Sequence, residues 1–89
     1  MSSFTSRQFR RLYGELPEEI KSRAERAYRL FGHNPAHPGL NFKQVDEQEA
    51  VYSARVGLGY RALGQIDGND IIWFWIGPHA EYDELLRRR

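Results

Sequence analysis

The chain contains no cysteine, no long apolar run and almost no excess of charge of either sign. Without cysteine there is no disulfide framework, no thiolate metal site and no cysteine nucleophile. No apolar run approaches the roughly 20 residues that a transmembrane helix needs. The N-terminal residues lack the apolar core of a secretory signal peptide. We therefore expect a cytoplasmic protein that does not enter a membrane.

The composition is typical of one small globular domain, spanning residues 1–89. Hydrophobic residues make up 40% of the chain and charged residues 28%, which separates it from disordered proteins. The net charge is +1, from 13 Lys and Arg against 12 Asp and Glu. Three of the positive charges end the chain as Arg87, Arg88 and Arg89. A basic tail of this kind is usually a solvated chain end.

The first half of the chain has the periodicity of helices. One apolar face with helical spacing predicts a first helix, and it consists of Phe9, Leu12, Tyr13 and Leu16. Ser2, Ser3 or Thr5 could cap the start of this helix. A second, longer helix is predicted to begin at Pro17, where a first-turn proline is favourable, and to end at Gly32.

The second half alternates as β-strands separated by turn signals. Strands are predicted over residues 40–45, 51–56, 60–66 and 71–76, followed by a short C-terminal helix or turn. Residues 57–59 and 67–70 predict two hairpins, and Trp73 and Trp75 are predicted to share one face of the last strand. The expected fold is α+β, with two N-terminal helices packed on a three- to four-stranded antiparallel sheet.

The first hairpin is predicted to place Arg55 directly opposite Arg61. Like charges in this position repel, so the arrangement needs an explanation. Each arginine could pair with its own carboxylate, or the register could be shifted by one residue. Alternatively, the two form a shared site for an anion such as a phosphate or a partner's carboxylate. The second hairpin is predicted to pair Ile66 with Ile71 and Arg61 with Ile76.

These registers bring several chemically active residues to one end of the sheet. The predicted cluster consists of Arg55, Arg61, His79 and Tyr82, and Lys43 is placed to join it. Such a set suits RNA cleavage by a 2′-hydroxyl group, because arginine stabilises the charge that develops on the phosphate. Histidine can protonate the departing 5′-oxygen, and an aromatic ring can stack on a splayed base. A single histidine after a strand also fits a purely structural role.

Three segments resemble the RelE/ParE superfamily of bacterial toxin–antitoxin toxins. The first is Leu-Pro-Glu at residues 16–18, followed by Asn34-Pro35. The second is Tyr-Ser-Ala-Arg-Val-Gly at residues 52–57, followed by Tyr-Arg-Ala-Leu at residues 60–63. The third, Ile-Gly-Pro-His-Ala-Glu-Tyr-Asp at residues 76–83, is similar to the HigB-like branch. The segments occur in this order and span almost the whole chain.

This resemblance implies a toxin that cuts messenger RNA, usually on the ribosome, and that a cognate antitoxin silences. Matched by position, Arg55 and Arg61 hold phosphate, and His79 takes the C-terminal acid–base position. Tyr82 matches the nearby aromatic residue, and Lys43 matches a lysine placed just before the central strands. The fold implied is α+β, with helices packed on an antiparallel sheet.

Two roles remain to be assigned, the general base and the further contacts with RNA. Asp83 is the candidate general base, with Glu81 and His37 as alternatives. Arg87 and Arg88 are expected to contact RNA.

No cofactor is expected and no metal site is predicted, because the loop histidines His33 and His37 have no acidic cluster beside them. Two other functions stay open. One is a ParE-like inhibitor of DNA gyrase, which would need Arg61 but not His79. The other is an inactive homologue that only binds a partner protein.

Overall fold

A computed structural model describes residues 1–88 as a five-stranded sheet with helices on both faces. In chain order the elements are β1 (Ser2–Thr5), α1 (Arg7–Gly14), α2 (Glu18–His33), β2 (Lys43–Asp46), β3 (Val51–Val56), β4 (Tyr60–Asp67), β5 (Asp70–Pro78) and α3 (His79–Arg87). The strand order is β1-β5-β4-β3-β2. The predicted α+β fold is confirmed, with five strands instead of three or four. The last arginine of the predicted tail, Arg89, lies outside the described residues.

The additional strand, β1, occupies residues that the sequence assigned to a helix cap. It pairs in parallel with β5, and α1 is capped instead by Ser6, whose Oγ accepts a hydrogen bond from the Phe9 amide at 3.1 Å. Side chains cap the outer carbonyls of β1: the Tyr28 hydroxyl donates to Ser3 at 3.0 Å, and the Arg10 guanidinium donates to Thr5. These caps protect an edge that would otherwise be open to another strand.

The helical hairpin packs on one face of the sheet. Helix α2 begins after Pro17, as predicted, but it continues through Gly32 and ends at His33. Gly32 does not stop the helix; the chain leaves it at Asn34, because the residue before a proline disfavours the helical conformation. Phe31 on α2 and Trp73 on β5 meet edge-to-face, with ring centroids 5.3 Å apart, at the centre of this core. No helix within residues 1–88 is long and apolar enough to cross a membrane.

The second hairpin contains a β-bulge that the sequence did not reveal. Ile66 pairs with Ile71 as predicted, but the register shifts between Leu63 and Gly64, so Arg61 pairs with Gly77 and not with Ile76. A Cβ atom on Gly64 would lie 2.8 Å from both Ile71 and Trp73. Only glycine therefore allows these two side chains to pack across β4 at the bulge.

The bulge also changes which face each tryptophan occupies. Trp73 packs in the core beneath α1 and α2, whereas Trp75 packs on the opposite face with Leu63, Tyr82 and Leu85. The prediction that Trp73 and Trp75 share a face was therefore wrong. One extra residue in a strand reverses the in-and-out alternation beyond it. The result is a second, smaller core under α3, and the candidate site lies beside it.

Candidate active site

The first hairpin folds as the sequence predicts and brings two arginines together. Val56 pairs with Tyr60 and Arg55 pairs with Arg61, so both arginine side chains project from the same face. The turn between them requires left-handed backbone at Gly57 (φ +60°) and Gly59 (φ +82°), a conformation that glycine adopts at little cost. The connection is therefore short enough to place the arginines directly opposite each other.

Next to this turn is a small polar cavity of about 230 Å³, which we name the arginine cleft. It lies where β3, β4 and the start of α3 converge. Its lining residues are Asn41, Arg55, Gly57, Gly59, Tyr60, Arg61 and His79. Two guanidinium groups and an imidazole line this space, and no carboxylate of residues 1–88 does. The arginine cleft thus has the charge and the hydrogen-bond donors to hold an anion.

Arg61 is buried in the arginine cleft, and within the described part of the chain no carboxylate forms an ion pair with it. Only 6% of its surface is exposed, and its Cζ atom lies 5.4 Å from the centroid of the Tyr82 ring. Within residues 1–88 it forms no ion pair, and its buried Nη1 atom has no hydrogen-bond partner. A buried cation of this kind is costly, although the Tyr82 ring offsets part of that cost.

Arg55 is exposed, and its side chain makes a local hydrogen bond. Its Nε atom donates to the Gly57 carbonyl at 3.3 Å, and no carboxylate within residues 1–88 pairs with it. The predicted register is correct, and neither arginine has an ion pair within residues 1–88. A shared anion between the two arginines stays a prediction.

His79 is the first residue of α3, and the backbone fixes its position. Its amide donates to the Gly59 carbonyl at 2.8 Å, which joins the start of α3 to the turn. Its Nδ1 atom lies 3.1 Å from Oδ2 of Asp83, one helical turn later, and both side chains are about half exposed. This contact engages Nδ1 and leaves Nε2 to exchange a proton with a ligand.

Tyr82 lies beneath the arginine cleft and does not line it. The side chain is 4% exposed, its ring meets the His79 ring edge-on, and its hydroxyl donates to Ser53 Oγ at 3.3 Å. A ring buried in this way is closed to a stacking base, so its place in the structure is that of a support for Arg61 and His79. Sequence reasoning missed Ser53, although strand alternation put it on the Arg55 face.

The candidate bases and the other basic residues lie outside the arginine cleft. Asp83 pairs with His79, Glu81 is exposed on α3, and His37 accepts a hydrogen bond from the Gly39 amide at 3.0 Å. Lys43 is exposed and pairs with Ser53, so it lies on the same face as the arginine cleft but does not line it.

The basic C-terminal residues Arg87 and Arg88 lie at the end of α3. Both are exposed and both pair with Glu84, at 3.1 and 3.5 Å. This shared carboxylate offsets part of their charge. Sequence reasoning missed Asn41 and Tyr60, which line the arginine cleft; Asn41 comes from the loop before β2, where no periodic pattern indicates position.

A larger, mostly apolar groove lies on the other face of the sheet, between the helical hairpin and the strands. Its volume is about 450 Å³. The lining side chains include Phe9, Tyr13, Ala27, Tyr28, Trp73 and Ile76, with Arg10, Glu25 and Arg29 as the charged members. Burial raises the pKa of the Tyr13 phenol, and the neighbouring Glu25 carboxylate raises it further.

Metal ligands are not clustered in the part of the chain that the structure describes. No group of three or more His, Asp or Glu side chains within residues 1–88 is placed to hold a metal ion. His33, the last residue of α2, and His37, in the loop that follows, belong to no such group.

Comparisons with known proteins agree with this architecture. The sequence profile of the ParE-like toxin domain matches residues 18–84. A search of curated proteins gives no significant match. The fold is similar to the RelB–RelE antitoxin–toxin complex from Methanococcus jannaschii, with a TM-score of 0.73 at 17% identity, covering 92% of this chain and 96% of that one.

Two further solved structures share the fold. The toxin–antitoxin complex RelBE2 from Mycobacterium tuberculosis aligns with a TM-score of 0.67 at 23% identity, over 86% of this chain and 95% of that one. A copper-bound mutant toxin from Helicobacter pylori aligns with a TM-score of 0.63 at 10% identity, over 91% of this chain and 97% of that one. At these identities the likeness shows the fold alone.

Proposed function

This chain belongs to the ParE-like toxin domain family of the RelE/ParE superfamily, and on that premise we propose that it is an endoribonuclease toxin. In this proposal it cleaves messenger RNA in the arginine cleft, uses arginine and histidine side chains, and is held inactive by an antitoxin. The single observation that carries the proposal is the buried Arg61, whose Nη1 atom has no partner within residues 1–88. A phosphate of RNA supplies both the counter-charge and the hydrogen-bond acceptor.

The chemistry begins with the scissile phosphate bound between Arg61 and Arg55. The 2′-hydroxyl of the preceding nucleotide attacks phosphorus, the O2′–P bond forms, and the P–O5′ bond breaks. Negative charge grows on the non-bridging oxygens in the transition state, where the two guanidinium groups stabilise it. Their positions are set by the hairpin before substrate arrives, so little reorganisation is needed.

His79 supplies the proton that the leaving 5′-oxygen requires. When the imidazole is protonated, Nδ1 donates to the Asp83 carboxylate 3.1 Å away, and Nε2 carries the transferable proton. Asp83 therefore orients His79 and is not the general base in this scheme. Among residues 1–88 no carboxylate lines the arginine cleft, so we assign the proton of the 2′-hydroxyl to water. Electrostatic stabilisation by the arginines then supplies most of the rate enhancement.

The low net charge of the chain bears on how RNA reaches the site. A charge of +1 over 89 residues provides few phosphate contacts beyond the arginine cleft, and such contacts dominate the affinity of proteins for free nucleic acid. We therefore propose that the ribosome presents the message to this toxin. Tight binding of free RNA that resists added salt would contradict this part of the proposal.

The antitoxin is proposed from the structural neighbours and from the apolar groove. Two neighbours were solved as toxin–antitoxin complexes. On this chain, the groove beside α1 and α2 has an apolar lining with Arg10 and Arg29 among its charged members. These features fit an amphipathic antitoxin segment that carries acidic residues. Copurification of this chain with a small protein encoded beside it would support the assignment.

Induced expression with transcript mapping tests the proposed activity. We expect growth arrest with cuts in ribosome-bound messages, and we expect both effects to disappear in the separate variants His79→Ala and Arg61→Ala. A matched control is Arg26→Ala, which removes an exposed arginine on α2 away from the arginine cleft. If both cleft variants arrest growth and cut RNA normally, the site is wrong. Gyrase-dependent DNA damage with intact transcripts would instead identify a gyrase inhibitor.

A further inference from the structure

Asn41 lines the arginine cleft beside the two arginines, although it comes from an irregular loop. Lys43 pairs with Ser53 in the β2–β3 ladder. Asn41 comes two residues before β2 begins, and it lines the same cavity as Arg55 and Arg61.

The backbone of Asn41 is held in an uncommon conformation. Its φ of 45° and ψ of 47° lie in the left-handed region, which residues other than glycine rarely adopt. The turn Pro38–Leu40 fixes it there, because the Asn41 amide donates to the Pro38 carbonyl at 3.1 Å. Its side-chain amide makes no hydrogen bond within residues 1–88. The constraint acts on the main chain and leaves the amide group to contact a ligand.

The amide differs chemically from its neighbours in the cleft. The arginines offer only hydrogen-bond donors and match phosphate oxygens, whereas an asparagine amide presents a donor and an acceptor side by side. Adenine presents the complementary pair, an amino donor next to a ring-nitrogen acceptor, and asparagine reads adenine in this bidentate way in other complexes. Single-stranded RNA exposes such base edges.

We propose that Asn41 is a specificity-determining residue that reads an adenine beside the scissile phosphate. The inference rests on the proposed ribonuclease function and deepens it: Arg55 and Arg61 hold the phosphate, and Asn41 selects the neighbouring base. A purely conformational role is the competing explanation, since asparagine tolerates left-handed backbone better than most residues. The two explanations make opposite predictions for one substitution.

The test uses Asn41→Gly, which keeps the left-handed backbone accessible and removes the amide. Ribosomes are programmed with messages that differ only in the base beside the cut, and single-turnover cleavage rates are measured for the full-length toxin. For the wild type we expect adenine to be preferred about tenfold over uracil. For Asn41→Gly we expect cleavage to continue, with the ratio of the cleavage rates at adenine and at uracil near one. Asn41→Asp, whose carboxylate only accepts, should also lose the preference for adenine.

Asn69→Gly is the matched control, because it makes the same change in the hairpin between β4 and β5, outside the arginine cleft. Asn69→Gly should keep the wild-type ratio of the cleavage rates at adenine and at uracil. The inference is overturned if Asn41→Gly also keeps that ratio, or if the wild type has no base preference. A wild-type toxin that cleaves no message refutes the proposed function itself, and this inference with it, so the two failures are distinguishable.

Discussion

Arg55 and Arg61 lie opposite each other on neighbouring strands, but their surroundings differ. Arg61 is 6% exposed, lies against the ring of Tyr82 and has a buried nitrogen without a partner in residues 1–88. Arg55 is exposed to solvent, and its Nε donates to the carbonyl of its own turn. Both are arginines on the same face of the same hairpin, so burial is the main difference between them.

Because of this difference in burial, we expect the two arginines to contribute unequally to catalysis. A charge in a buried site interacts with an anion more strongly than a charge in water, because the effective dielectric constant is lower. The position of Arg61 is also fixed by Tyr82, which Ser53 and the start of α3 hold in turn. We therefore expect Arg61 to dominate transition-state stabilisation. Arg55 should contribute attraction at longer range, which salt weakens.

The largest effect is expected when Arg61 is replaced by lysine. Lysine keeps the charge but loses the planar group that packs on Tyr82 and binds phosphate with two donors. Arg61→Lys should lower the rate of RNA cleavage by about 10²–10³-fold, measured in single turnovers on ribosome-bound message. The exposed Arg26 on α2 provides the control, and Arg26→Lys should cleave normally. Near-normal cleavage by Arg61→Lys would show that charge alone suffices and would remove the distinction between Arg61 and Arg55.

His79→Ala should have the next largest effect and should leave stability unchanged. Loss of a general acid lowers the rate by about 10²-fold, whereas the half-exposed side chain buries little surface. Cleavage rate and free energy of unfolding, measured together, separate these contributions. Asp83→Asn should reproduce part of the loss, because an amide does not stabilise the imidazolium. A fully active His79→Ala would leave catalysis to the arginines alone and would give His79 the structural role.

Arg55→Ala should lower cleavage by about tenfold, and salt should have less effect on the variant than on the wild type. The reason is that an exposed guanidinium acts through a screened interaction, unlike its buried counterpart. Cleavage rates at several salt concentrations check this. If Arg55→Ala matches Arg61→Ala at every salt concentration, burial does not separate the two arginines.

Tyr82→Phe should have the smallest effect and tests the support beneath Arg61. The change removes the hydrogen bond to the fully buried Ser53 and should cost about 1 kcal/mol of stability. The ring stays in place, so cleavage should fall only a few-fold. Tyr82→Leu removes the ring as well and should reduce cleavage much further. Equal activity of the two variants would show that the ring does not position Arg61.

Local turn chemistry made one half of the site predictable from the sequence. The glycines at 57 and 59 fix a short connection, and the opposition of Arg55 and Arg61 follows from counting outward from it. The sequence also placed His79 at the correct end of the sheet, because His79 follows Ile76 on the last strand by only three residues. In these places the decisive contacts are close in sequence.

The missed features depend on contacts between distant residues. The bulge opposite Gly64 exists because Ile71 and Trp73 both pack across that glycine, and no local pattern signals such a fit. The polar strand β1 is stabilised by pairing with β5, about 70 residues away in the chain. The burial of Tyr82 follows from the docking of α3 on the smaller core, and this burial closes the ring to the base stacking that the sequence suggested.

The central inference is that Arg61 is a buried, unpaired cation because its site holds an anion. Chemical unfolding of Arg61→Met, with and without inorganic phosphate, tests this inference most directly. Methionine is apolar and of similar length, and replacing an unpaired buried charge in this way should not destabilise a fold. We predict that, without phosphate, the variant is at least as stable as the wild type, and that phosphate stabilises only the wild type. A strongly destabilised variant that phosphate stabilises as much as the wild type would contradict the inference.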